Sequence, residues 1–118
     1  MPLAAIAAIN LDCADPQVLA RFWAELLGGE IAVDLPGFCA VRIGDLLLGA
    51  VRVDDHQPAT WPSDERAKQI HLDLAVDDLD SAVAEAVRLG ATEAEHQSNP
   101  GRSRVLTDPA GHPFCLRG

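Results

Sequence analysis

The sequence predicts an α+β domain made of two β-α-β-β-β modules, and three observations carry that reading. Short runs with apolar residues at every second position recur along the chain, as half-buried strands require. Two stretches with helical spacing each end on Leu-Gly, at Gly28 and Gly90. The order of these elements is the same in both halves, which marks an internal duplication. Two such modules are expected to pair their strands into a curved, mostly antiparallel eight-stranded sheet around a cleft, with the helices on the convex face. The expected organisation of the 118 residues is one domain, with module one at 1–54, a linker at 55–69 and module two at 70–118.

In the first module, residues 5–13 carry Ile9, Leu11 and Cys13 on one strand face and Asn10 and Asp12 on the other. Asp15 followed by Pro16 is an N-cap with proline at the first helical position. Val18, Leu19, Phe22, Trp23, Leu26 and Leu27 then follow at helical spacing. Strands are expected at 30–34, 38–43 and 46–53, separated by the turn pairs Pro36-Gly37 and Gly44-Asp45.

Residues 54–68 are rich in charge and proline and have no period, so they read as a linker or lid whose one large apolar side chain is Trp61. The second module opens with an alternating strand at 71–76. Asp77-Asp78 offers a cap, and Leu79, Val83, Ala86, Val87 and Leu89 form the apolar stripe of a second helix. Strands at 91–95, 102–107 and 113–117 complete the repeat.

Composition narrows the function classes. The chain carries 18 acidic residues against 9 Lys and Arg, a formal net charge of −9. Such a surface repels a phosphate backbone, so a nucleic acid partner is not expected, whereas a cationic small molecule suits it. The three cysteines form no C-x-x-C pair and are expected as free thiols packed as small apolar groups. No apolar run has membrane-spanning length, and Met1 to Ile6 lack the basic start of a signal peptide, so the expectation is a cytoplasmic protein with no membrane partner. No nucleophile elbow, phosphate-binding glycine loop or nucleotide fingerprint is present.

Four segments in order carry a family resemblance. They are Leu11-Asp12-Cys13-Ala14-Asp15-Pro16 with Phe22-Trp23 and Leu27-Gly28; Pro58-Ala59-Thr60-Trp61-Pro62; His71-Leu72-Asp73-Leu74-Ala75-Val76-Asp77-Asp78-Leu79; and Asp108-Pro109-Ala110-Gly111-His112-Pro113-Phe114-Cys115. Together they resemble the glyoxalase-like branch of the vicinal oxygen chelate superfamily, which includes glyoxalases, bleomycin resistance proteins and extradiol dioxygenases. The resemblance covers nearly the whole chain.

The resemblance implies a divalent ion held by His, Gln or Glu from the first and last strand of each module. Aligned on Asp15, those positions fall here on Ala8, Val51 or a neighbour, His71 and Cys115. Ala8 offers no donor atom, and Cys115 stands where the family has glutamate. His71 is thus the one family-type metal candidate left, and neither a cofactor nor a metal of the usual kind is expected. A substitute set of His71, Asp73 and Cys115 has donor chemistry that suits zinc. Alternate residues on one strand lie roughly 7 Å apart, however, and that spacing weighs against a shared ion.

The candidate ligand-binding residues are Asn10, Asp12, Val51, Trp61 and Cys115, with His71 and Asp73 as candidate catalytic groups, either able to act as a general base. Each has a plainer reading. His71 could be a hydrogen-bonded structural residue, Asn10, Asp12 and Asp73 could sit at a wet rim, and Trp61 could cap the core between modules. Cys115 is expected to be buried and inert, and His112 to be an exposed turn residue. The leading expectation is a small-molecule binding protein with a degenerate metal site, serving resistance or sequestration. The rivals are a lyase, isomerase or dioxygenase-type enzyme acting on a small oxygenated substrate, and a non-catalytic regulatory or subunit module. A homodimer is expected because open sheet edges invite pairing.

Overall fold

The computed structural model describes residues 2–118. The elements follow the order β1 (Ala8–Cys13), α1 (Pro16–Leu27), β2 (Glu30–Leu35), β3 (Phe38–Ile43), β4 (Leu46–Arg52), β5 (Leu72–Ala75), α2 (Leu79–Leu89), β6 (Thr92–Glu93), β7 (Ser103–Thr107) and β8 (Pro113–Arg117). The duplicated β-α-β-β-β order is therefore observed. The chain divides into two compact units, Met1–His56 and Gln57–Gly118.

The strands form two four-stranded sheets, ordered β1-β4-β3-β2 and β5-β8-β7-β6, in place of the single eight-stranded sheet expected. The path within each module explains the difference. After the helical crossover, the antiparallel meander of the last three strands brings the module's fourth strand back beside its first. That fourth strand then spends its free edge on its own module. The pairs β1–β4 and β5–β8 are parallel, and the remaining pairs are antiparallel, so both sheets are mixed.

In the first unit, α1 packs on β3 and β4. Its start is fixed by the Asp15 carboxylate, which accepts the Val18 N–H at 3.3 Å, and its end by Gly28 in the left-handed region at φ 69°. The apolar stripe buries Leu19, Ala20, Phe22 and Trp23, and Cys39 and Val41 of β3 and Leu48 of β4 are buried with them. Phe22 and Trp23 meet edge to face, with centroids 5.2 Å apart. Truncating an aromatic this deep costs about 3–5 kcal/mol.

The second unit follows the same plan with fewer buried side chains. Asp78 caps α2 through the Ser81 N–H at 3.3 Å, and Val83 and Ala86 are buried with Leu106, Phe114 and Leu116, which share one face of the sheet. Before β8, the buried Asp108 carboxylate accepts the N–H groups of Ala110 and His112, each at 2.9 Å. This ties His112 into the turn and leaves it half-buried, where an exposed residue was expected. The strand limits also differ. β1 starts at Ala8, and residues 2–7 ahead of it are exposed, although the Leu47 N–H still reaches the Ala7 carbonyl at 3.1 Å. β6 is only two residues long, with one further ladder bond from the Ala94 N–H to the Val105 carbonyl. Among the described residues, no helix is long and apolar enough to cross a membrane.

Candidate functional site

The alternation of β5 separates two faces. Leu72 and Leu74 turn inward and stand opposite Phe114 and Leu116 of β8, while Asp73 stands opposite Cys115. His71, just ahead of β5, shares the face of Asp73 by the same period of two. The apolar pairs beneath hold the two strands in register, and the polar groups above are held in place as a result.

The three side chains converge. Ligand atoms of His71, Asp73 and Cys115 all lie within 4.8 Å of one another, and among the described residues no other set of His, Cys, Asp and Glu side chains does this. His71 Nε2 is 3.3 Å from Asp73 Oδ1. The roughly 7 Å strand spacing is therefore the wrong measure. It describes backbone positions along one strand, whereas Asp73 and Cys115 are neighbours across the β5–β8 ladder, and the His71 imidazole reaches along the face to the carboxylate. Cys115 is half-buried, not fully enclosed as expected, because its side chain emerges on this exposed face.

Two cations complete the group. Arg117 Nη1 lies 3.9 Å from Asp73 Oδ2, the carboxylate oxygen that His71 does not approach. Lys68 places its ammonium 4.3 Å from the Trp61 ring centre, in cation–π contact. Burial pushes the Cys115 thiol above its ordinary pKa, helped by the Asp73 charge and by the hydrogen bond the thiol donates to Asp73; Lys68 and Arg117 oppose the rise. The group is thus a protonated thiol beside a carboxylate, with cations at its margin. Arg117 was legible in principle, being two residues beyond Cys115 on the same strand face. Lys68, in a segment without period, gave no signal.

Trp61 is half-buried in the second unit. Its indole N–H donates to the His96 carbonyl at 3.4 Å, and the His96 ring lies 6.3 Å away at a tilt. Asn10, Asp12 and Val51 belong to the first unit. Asn10 stands opposite Gly49 and Asp12 opposite Val51 on the β1–β4 ladder. The Asn10 amide occupies the space above Gly49, where an added Cβ would meet Asn10 Oδ1 at 2.1 Å. The first unit also has a groove of about 280 Å³, lined by Gln17, Arg21, Glu25, Asp34 and Cys39, which the sequence pattern did not reveal. The Gln17 amide spans it, donating to the Leu35 carbonyl at 2.7 Å.

The metal positions that the resemblance implies can be set against these residues. Of the positions expected, on Ala8, on Val51 or a neighbour, on His71 and on Cys115, the side chains of Ala8 and Val51 have no donor atom, whereas those of His71 and Cys115 do. Asp73, which lies outside that pattern, supplies the third donor near them.

Residues 8–117 match the model of the glyoxalase-like domain family, and the chain belongs to that family. No curated protein matches it. Solved structures with this fold include the bleomycin-binding protein of Streptomyces verticillus in complex with copper(II)-bleomycin, at 22% identity and a TM-score of 0.60, covering 100% of this chain and 98% of that one. A glyoxalase/bleomycin resistance protein/dioxygenase family enzyme from Burkholderia phytofirmans is similar at 17% identity and a TM-score of 0.71, covering 96% and 97%. A fosfomycin resistance protein from Mesorhizobium loti is similar at 15% identity and a TM-score of 0.68, covering 98% and 92%. Identities this low establish the shared fold alone.

Proposed function

We propose that this protein binds a small molecule at the β5–β8 face, in resistance or sequestration, without the metal set usual in its family. The observation that carries the reading is the convergence of His71, Asp73 and Cys115, an imidazole, a carboxylate and a thiol on one face. Three different hydrogen-bonding groups converging on one face are the ingredients of specific recognition. The net charge of −9 favours a cationic ligand, and the S. verticillus relative, which carries copper(II)-bleomycin, is a precedent for antibiotic binding on this fold. Within the first unit Asn10, Asp12 and Val51 are proposed as ligand-binding residues of that unit, and Trp61 as an aromatic ligand contact in the second. The proposed assembly is a cytoplasmic homodimer, which sedimentation of the purified chain would check.

The test is thermal stabilisation across a panel of cationic glycopeptides and small oxygenated compounds. A true ligand at a hundred times its Kd stabilises the fold by about 2.7 kcal/mol. His71→Ala and Asp73→Ala should abolish that shift. A panel with no stabilising compound, or shifts unaffected by both substitutions, would contradict the reading. Consumption of a stabilising compound would instead favour an enzyme with Asp73 or His71 as general base.

A further inference from the structure

We propose that His71, Asp73 and Cys115 form a zinc-type metal site contained entirely in the second unit, distinct in composition from the four-position set of the family. It rests on reading the β5–β8 face as the binding face, but requires no particular organic ligand.

The donor atoms carry the argument. Imidazole nitrogen, carboxylate oxygen and thiolate sulfur are the three donor types that zinc accepts together, and open zinc sites use three protein ligands with a fourth position free. Around a tetrahedral zinc with bonds of about 2.0–2.3 Å, ligand atoms stand about 3.3–3.6 Å apart. His71 Nε2 and Asp73 Oδ1 already have that separation, at 3.3 Å. The outer limit of 4.8 Å for the whole group asks for a closure of about 1 Å. His71 and Asp73, 38% and 44% exposed, have the freedom to supply it by side-chain rotation. Cys115 need not move, because the Leu72–Phe114 and Leu74–Leu116 pairs fix its strand beneath.

The flanking cations fit supporting roles. Arg117 approaches Asp73 Oδ2 and leaves Oδ1 to face His71, so the carboxylate is oriented for single-oxygen ligation. Lys68 acts favourably on the Cys115 thiolate while its ammonium rests on Trp61. On binding, Cys115 gives up its proton to solvent and a sulfur–metal bond forms, with no change of oxidation state. A bound zinc ion would supply a Lewis-acid position for an oxygen or nitrogen atom of a small ligand.

The experiment uses the full chain, stripped with chelator and then dialysed against Zn²⁺ or Co²⁺ alone. The expected result is one ion per chain at micromolar metal, with a thiolate-to-cobalt charge-transfer band in the near ultraviolet. Cys115→Ser should remove the band, and His71→Ala should weaken binding at least about tenfold, since even outer-shell changes cost that much. Peptide mapping of the unmodified protein gives a readout independent of any variant's folding, with Zn²⁺ expected to slow Cys115 alkylation. No ion bound, a band that survives Cys115→Ser, or a Cys115 alkylation rate indifferent to Zn²⁺ would overturn the proposal. Ligand stabilisation that persists in chelator would separate its failure from failure of the binding-face reading.

Discussion

His71 Nε2 lies 3.3 Å from Asp73 Oδ1, and Asp73 in turn stands opposite Cys115 on the parallel β5–β8 ladder. One carboxylate thereby links a histidine ahead of one strand to a cysteine on the next. Both members of the His71–Asp73 pair are more than a third exposed, so the pair adds little to stability, in the range of 0–1 kcal/mol. His71→Ala and Asp73→Ala should therefore unfold in urea within about 1 kcal/mol of wild type while losing ligand binding. A larger loss of stability would mark the pair as structural.

Cys115 should behave as a slow thiol. Its pKa is raised by burial first and then by Asp73. Alkylation followed against pH should run slower than that of a free cysteine at pH 8. Asp73→Asn should accelerate it severalfold, because the neighbouring negative charge is gone. An unchanged rate in Asp73→Asn would mean that the carboxylate does not act on the thiol.

Thiols also govern the alkaline limb of stability. Cys39, buried, is raised above the ordinary thiol value by burial and by the Asp34 charge, and Cys115 is raised as well. Below the ordinary thiol pKa of about 8.5 both the folded and unfolded chains hold these protons, and the contribution is fully present. Above it the unfolded chain ionises first, so stability falls as pH rises through the folded-state values. The chain has no tyrosine and a single lysine, which leaves the thiols as the main groups titrating there. Thermal melts from pH 7 to 11 should show the fall, and Cys39→Ala should make it shallower.

Asn10 and Gly49 are matched across β1 and β4. A methyl group at position 49 would meet Asn10 Oδ1 at 2.1 Å and Phe38 Cε1 at 2.8 Å. Gly49→Ala is expected to cost about 1–3 kcal/mol, and Asn10→Ala in the same chain should recover part of it. Strictly additive effects in urea unfolding would show that the two positions do not share that space.

Much of the fold is legible in the sequence. Asp15-Pro16 and Gly28 bracket α1, and the spacing of Phe22 and Trp23 gives the face it buries, because local capping and periodicity decide these features. The pairing of sheets was not legible. Strand patterns specify which face is buried, yet they do not say whether β4 turns back to β1 or extends into a longer sheet. The site shows the same division. Alternation placed His71 and Asp73 on one face, but the approach of Cys115 depends on the register of β8 against β5, which follows from tertiary packing. Counting along a single strand made the three residues look too far apart.

The most direct test of the binding-face account is an amide chemical-shift titration of the isotopically labelled chain with the strongest stabilising compound. The account predicts shifts concentrated at residues 71–75 and 113–117, with the indole N–H of Trp61 moving alongside. Shifts concentrated instead around Gln17, Arg21 and Asp34, the residues of the first-unit groove, would contradict it.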